Sequence, residues 1–583
     1  MSLKASILDH VKLPDQHTRA KAAIDETVKE ILHNVPLRMI DTKTGHLCDE
    51  ARLRNVFEND PVFWDLVPSV TDVTDVARIK QVVKDFFQYV MFSHRWQGRE
   101  PLCSDVGDQS VYTLTTDEIP TTGKLQRFCR TAGEAGYRWA WSDTCCIDQK
   151  NQREFEKSIN SMFRWYHHSS LTLVYLWDVP PSSLPGGLTR SAWITRGWTL
   201  QELLAPTVIR FFNANWKPYL SDSHVNHKDS EEIMGEIASA VGVPANDLLS
   251  FRPSSDDVRW KLHMASKRET TVPEDSAYCL FGVFNIIMPV VPGATRDQAV
   301  AQLLREVINC SKSGDVSCLA WVGESSELNS ALPTQIKAYE KPCHLLSSVG
   351  EEEIQKSVSE LESSFTREEQ VQVLALYEKL VHLRQRRAEF AGWHLRLPCI
   401  AFPVAFNVDR AANAYIARAT ALEATTIRTA DKFPSKGLLL VCPWIHELLD
   451  LGAPHSHHDD AADLELTSGH LSDTWVESVS HENPVESSRL HAPGNDDDHL
   501  NVPYKHSGRS TPSSLLPPSP STPFDEHTRA LRFAARLSQP MTALLLSRQQ
   551  RGVYKRVATD HEIVIKLRRG AVLDSNVTVV DLI

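Results

Sequence analysis

The stretch FEKSINSMFRWYHHSSLTLVYLW, residues 155–177, changes its period in the middle. Phe155, Ile159, Met162, Phe163 and Tyr166 stand at offsets that stack one wide apolar stripe on a helix. From Leu171 to Trp177 the residues are instead apolar almost without a break and rich in strand formers, as in a strand buried on both faces. An amphipathic helix that feeds such a strand is the repeating unit of a parallel sheet.

The same unit extends in both directions. Upstream, YVMFS (89–93) reads as a buried strand, KLQRFCRTAGEAG (124–136) as a helix stopped at Gly136, and YRWAWSD (137–143) as a second strand. Downstream, RGWTLQELLAP (196–206) opens the next helix. Strand, helix, strand, helix, strand, helix predicts an α/β fold with a doubly wound parallel sheet, flavodoxin-like in order. Ligands of such sheets bind beyond the carboxyl ends of the strands. Ser93, His94, Arg95, Asp143 and Asp178 are expected there.

At 583 residues the chain is too long for one core, and 42% apolar residues suffice for several. The divisions expected are an N-terminal helical segment (1–36), the α/β domain (37–225, with its core motifs at 85–212) and a helical region (226–322). A helix plus β-rich region (323–452), a disordered Ser, Pro, His and Asp-rich linker (453–526) and a C-terminal β-rich segment (527–583) follow. A formal charge of -12 opposes a protein that tracks phosphates, so no nucleic acid partner is expected. No stretch approaches the roughly 18 to 20 apolar residues of a membrane span, and the first residues lack a signal-peptide core; a cytoplasmic chain is expected. Eleven cysteines without a repeated Cys-x-x-Cys suit reduced thiols better than a disulfide framework or a zinc site.

Several chemistries lack their residues. Gly123 and Lys124 have no glycine five positions upstream, so there is no P-loop, and no Gly-x-Gly-x-x-Gly occurs. HSHHDD (455–460) lies in the low-complexity stretch and reads as a solvated tract, and no metal or cofactor is expected. Cys145 and Cys146 near His94 suggest a thiol nucleophile, against which stands the common use of cysteine as a small buried residue. TVPE (271–274) has the form of a capping box, with Glu274 and Asp275 serving a helix terminus.

The sheet edge is richer. Phe92, Trp96, Trp141 and Trp198 offer flat faces for a base or nicotinamide ring, and Arg95 suits a phosphate. Glu202, four residues after Trp198 and on the same helical face, is the carboxylate that stabilises an oxocarbenium-like centre. Core packing satisfies the same spacing, so composition alone leaves both readings open.

YVMFSHRW, WAWSDTCCIDQKNQREFEKSINSMFRWYHHSSLTLVYL and SAWITRGWTLQELLAP, in this order, closely resemble the three blocks of the fungal heterokaryon incompatibility (HET) domain. MASKRETTVPEDSAYCLFGVFNIIMPV resembles the segment that follows it in many fungal proteins. One departure is His94, Arg95, Trp96 where the family usually has tyrosine, tryptophan and glycine. The resemblance implies a role in non-self recognition and programmed cell death, with an unknown incompatibility partner protein. The order of motifs also resembles, more distantly, the TIR domain of immune receptors. That resemblance implies NAD as substrate, hydrolysed at its nicotinamide–ribose bond in a homo-oligomer. It assigns Glu202 as the catalytic carboxylate, Trp198 as the ring that stacks on the nucleotide, and Phe92, Ser93 and Arg95 to the first loop, with Asp143 orienting the second. Many TIR domains are adaptors, so a non-enzymatic module that recruits partners is the alternative.

Overall fold

The computed structural model describes residues 16–70, 76–182, 185–341, 350–383, 387–402, 405–409, 414–418, 425–428, 437–443, 523–566 and 575–583. One compact unit comprises Met1–Leu451 with His527–Ile583, and Gly452–Glu526 form another. The expected linker, with HSHHDD, lies almost wholly outside the described residues.

Six strands form the first sheet: β1 (Arg38–Asp41), β2 (Leu47–Asp49), β3 (Tyr89–His94), β4 (Trp139–Trp141), β5 (Leu171–Tyr175) and β6 (Ile209–Phe212). Their order is β2-β1-β4-β3-β5-β6. β4, β3, β5 and β6 run parallel, with Met91 opposite Trp141 on one side and Thr172 on the other. β1 and β2 add an antiparallel hairpin outside β4. These two strands, of four and three residues, are too short to show a period in the sequence. The chain leaves β3 in one direction to make β4 and returns past it to make β5, so the order reverses between β3 and β5. Such a reversal opens a crevice at the carboxyl ends of those strands.

The pleat of β3 sends alternate side chains to opposite faces. Tyr89 donates its hydroxyl to Trp165 O at 2.6 Å, on the Gln152–His168 helix. Phe92 turns the other way and stacks on Phe128 of the Thr122–Glu134 helix, with centroids 4.3 Å apart. Trp141 packs against Trp165 and Tyr166 on the first of these faces. Helices therefore cover both faces.

The leading helix spans Gln16–Asn34 and buries Ala20, Ile24, Val28 and Leu32, with Ile31 partly buried beside them. The helical region supplies Glu231–Val241, Val258–Ser266 and Arg296–Cys310 as expected. PEDSAYCLFGVF does not make a long helix: only Asp275–Tyr278 is helical. The turns beyond pack tightly, because a Cβ on Gly282 would lie 2.1 Å from Phe163 Cβ. Asn160 and the Met288 backbone exchange two hydrogen bonds of 2.9 Å, joining this segment to the Gln152–His168 helix.

The C-terminal part is β-rich. β7 (Glu389–Ala391), β8 (His394–Phe402), β9 (Ala405–Asp409), β10 (Ala414–Arg418) and β11 (Thr425–Arg428) are followed by β12 (Leu438–Cys442), β13 (Met541–Gln550), β14 (Val553–Arg556), β15 (Ile563–Ile565) and β16 (Asn576–Leu582). β12, β13, β14, β16 and β8 pair in sequence and β8 returns to β12, closing a barrel-like ring. Closure removes the unpaired edges an open sheet would leave. Helices Glu351–Ser364 and Arg367–Leu383 precede it. The helix Pro523–Leu537 was not expected at the end of a Ser and Pro-rich stretch. Proline suits the first turn of a helix, and Arg532 then pairs with Glu351 at 2.5 Å.

Candidate functional site

Ser93 stands at the carboxyl end of β3, on the face away from Phe92, and is fully buried. Its hydroxyl donates to Glu202 Oε2 and accepts the indole N–H of Trp193 at 2.8 Å. Glu202 is carried by the short helix Thr199–Leu204, which begins after the chain has left β5. The switch point of the sheet thus holds a carboxyl group, a hydroxyl and an indole in one hydrogen-bonded line.

Glu202 is only 4% exposed. Burial pushes its carboxyl up to about 8, and the Asp143 charge adds to this; the Ser93 bond and the charges of Arg196 and Arg268 oppose it. At neutral pH Glu202 is therefore mostly protonated in this state.

A second cluster lies on the loop after β4. Asp143 receives the Trp96 indole N–H at 2.8 Å and meets His94 Nε2 at 3.2 Å. Burial and the Lys124 charge hold His94 below its ordinary value, and the neutral ring donates its Nε2–H as a hydrogen bond to the carboxylate. Burial disfavours the charge on Asp143, but the bonds from His94 and Trp96 outweigh it, and its carboxyl sits below the usual range. Through His94 and Trp96, Asp143 holds the end of β3 and the start of the loop that follows it, which is the first strand-end loop and not the second one to which the resemblance assigned it. Lys124 and Glu100, both buried, pair at 2.6 Å and fix the same loop, since Glu100 also accepts the Gln97 N–H at 2.7 Å.

The sequence-derived set is thereby divided. Ser93 and Glu202 meet directly, and Trp96 and Asp143 meet each other. Arg95 is exposed and reaches Ala192 O at 3.4 Å. Phe92 and Trp141 offer no ring face: Phe92 is 1% exposed between His94 and Phe128, and Trp141 is packed on Trp165 and Tyr166. Because β3 is covered by helices on both sides, its apolar side chains pack inward. Trp198 caps its helix and points its indole N–H to Asp275 at 2.9 Å, not toward Glu202. Trp198 stands at the N-cap with helical backbone angles, so the spacing of four holds in the backbone, and it is the bond to Asp275 that engages its indole.

Asp275 does not serve the helix terminus as the capping-box reading held. Glu274 stands at the cap without a side-chain cap bond, and its carboxylate accepts the Gly293 N–H instead. Asp178 accepts from Ser191 and from the Ala192 N–H, holding the loop that carries Trp193. Cys145 and Cys146 are buried, and the hydrogen bond with Cys146 together with burial holds the Cys145 thiol well above its ordinary value. That environment suits structural thiols, not a nucleophile. Among the described residues no cluster of histidine, cysteine and carboxylates is arranged for a metal, and no helix is long and apolar enough to cross a membrane.

Trp193 and Arg268 were missed as site residues. Trp193 lies in SAWITRGW, inside the third block, and a second tryptophan five residues before Trp198 was the available signal. Arg268 lies beyond it, in MASKRETTVPED. Buried polar atoms without a hydrogen-bond partner among the described residues include His94 Nδ1, Gln201 Nε2, Arg268 Nη2 and Thr270 Oγ1. Unspent polar groups of this kind are costly and mark places where a structure serves more than packing.

Residues 89–186 match the family model described as heterokaryon incompatibility protein (HET). The chain is also similar to the vegetative incompatibility protein HET-E-1 of Podospora anserina, at 34% identity over 244 residues. That alignment covers 40% of this chain and 16% of the relative, so the chain spans only a small part of the relative's length. No solved structure matches. β3, β4 and β5 lie within the residues that match the HET family model.

Proposed function

We propose that the protein acts in vegetative incompatibility as a cell-death effector, and that its HET domain hydrolyses NAD to nicotinamide and ADP-ribose. The observation that carries the chemistry is Glu202, buried at the switch point and hydrogen-bonded to Ser93. Supporting it are the incompatibility protein to which the chain is similar and the likeness of its motif order to that of TIR domains.

In this reading the bond between ribose C1 and the nicotinamide nitrogen breaks, and nicotinamide leaves with the electron pair. Ionised Glu202 stabilises the cationic ribosyl centre, and water adds to C1 and gives up a proton. A positively charged nicotinamide ring beside Glu202 favours the ionised form. Ser93 and Trp193 hold the carboxylate in place, Arg95 lies on the exposed side where a phosphate enters, and Trp198 and Trp96 border the site. Activity requires an assembled form, a homo-oligomer, in which Glu202 becomes accessible.

The same burial favours a second reading, a non-enzymatic module that assembles and recruits partners, with Glu202 as a structural group. One experiment separates them. Purified protein, alone and on a crowding scaffold, is incubated with NAD while nicotinamide is followed, with Glu202→Ala in parallel. Release by the wild type, reduced on the order of a hundredfold or more in the variant, is expected. No release in any assembled state overturns the enzymatic reading, and unchanged release in the variant overturns the assignment of Glu202.

A further inference from the structure

We propose that Arg268 and Asp275, from the segment beyond the matched HET residues, are positioning residues of the Glu202 site; this rests on the proposed reaction. The turn that delivers Glu202 to Ser93 is held from outside the three sequence blocks. Gly197 N–H donates to Glu269 O at 2.8 Å, and Glu269 N–H donates to Thr195 O at 2.7 Å, a two-bond bridge between the segments. Contact there is so close that a Cβ on Gly197 would lie 2.5 Å from Thr270 Cγ2.

Arg268 then ties the start of the helix. Its Nη1 donates to Arg196 O at 3.0 Å and to Thr199 Oγ1 at 2.9 Å. Thr199 passes its own proton to Trp193 O at 2.6 Å or to Arg196 O at 2.9 Å. Trp193 holds Ser93, and Ser93 holds Glu202. The path from Arg268 to the carboxyl group is continuous, and Arg268 Nη2 remains a buried donor without a partner among the described residues. Asp275 fixes the other side of the turn through the Trp198 indole. The functional unit therefore reaches at least to Asp275, well past residue 186.

Arg268 has two separable effects, the fork of hydrogen bonds on the turn and a positive charge near Glu202. The charged and titratable groups whose fields reach Glu202 are Asp143, Arg196, Arg268 and Tyr166, with Ser93 in direct contact. The test uses the full chain with Arg268→Lys, Arg268→Gln and Asp275→Ala. Two quantities are read: the pH profile of nicotinamide release, with kcat and KM separated, and the infrared carboxyl band of Glu202 against pH, with Glu202→Gln as the blank.

Arg268→Gln is expected to move the Glu202 titration to higher pH and to lower kcat on the order of tenfold to a hundredfold, with KM nearly unchanged. Arg268→Lys restores the titration but not the full kcat, because an ammonium lacks the planar fork. Asp275→Ala lowers kcat and leaves the titration in place. An Arg268→Gln chain with wild-type titration and wild-type kcat overturns the proposal. Should the wild type release no nicotinamide, the reaction fails, yet the infrared titration still decides whether Arg268 sets Glu202. Should Arg268→Gln not fold, an Arg268→Lys chain with full kcat is the overturning result.

Discussion

Glu202→Gln is expected to make the protein more stable than the wild type at pH 8 and above and, on the proposed reaction, to abolish nicotinamide release. In the folded chain the Glu202 carboxyl is pushed from 4.5 to about 8, first by burial. In the unfolded chain it ionises near its ordinary value. Between those values unfolding releases a proton, so wild-type stability is full below about pH 4.5 and falls as pH rises toward 8. At about 1.4 kcal/mol for each pH unit, the loss amounts to roughly 3 to 5 kcal/mol. Glutamine cannot ionise and keeps an oxygen for the Ser93 hydroxyl. Urea unfolding from pH 5 to 9 should give a falling curve for the wild type and a flatter one for the variant. Parallel curves would show that Glu202 is not the buried acid inferred from its surroundings.

Lys124→Met is expected to destabilise the protein by about 3 to 5 kcal/mol, because it strands the Glu100 carboxylate in the interior without its partner. Both side chains are nearly inaccessible and 2.6 Å apart. A lone buried charge costs more than the pair contributes, so adding Glu100→Gln should recover most of the loss. Glutamine at position 100 still has an oxygen for the Gln97 N–H. A double-mutant cycle in denaturant measures this directly, and two additive losses would mean that the ions do not sense each other. Hydrogen exchange at the Gln97 amide should rise in the single variant, since the loop between β3 and the Thr122–Glu134 helix loses its anchor.

β3, β4 and β5 were readable because each is a short, largely apolar run, whereas β6, four residues with Arg210 among them, was not read as a strand. Phe155 to Trp177 is the plainest case, and the helix and strand found at Gln152–His168 and Leu171–Tyr175 follow it closely. β1 and β2 were silent because so few residues carry no period. The site was half legible. Ser93 and Glu202 were named because one ends a strand and the other opens a helix. Phe92 and Trp141 were placed with them because residue type says nothing about which side of a pleat it occupies. Arg268 and Asp275 were out of reach for a different reason: about seventy residues separate them from the turn they hold, and only the tertiary bridge to Glu269 brings them there.

The two-sidedness of β3 has an outcome that can be read without any structure. Tyr89 and Ser93 answer to the Trp165 carbonyl and to Glu202, whereas Phe92 and His94 answer to Phe128 and Asp143. In a saturation library across residues 89–94, scored separately for abundance and for the proposed cell death, bulky or charged changes would lower abundance at every position, because all six residues are buried. The small change Ser93→Ala would, on the proposed function, lower the cell-death score more than abundance, and changes at Phe92 would deplete the protein itself. A gap between the two scores confined to Ser93 would then mark the side of the strand on which the proposed chemistry lies.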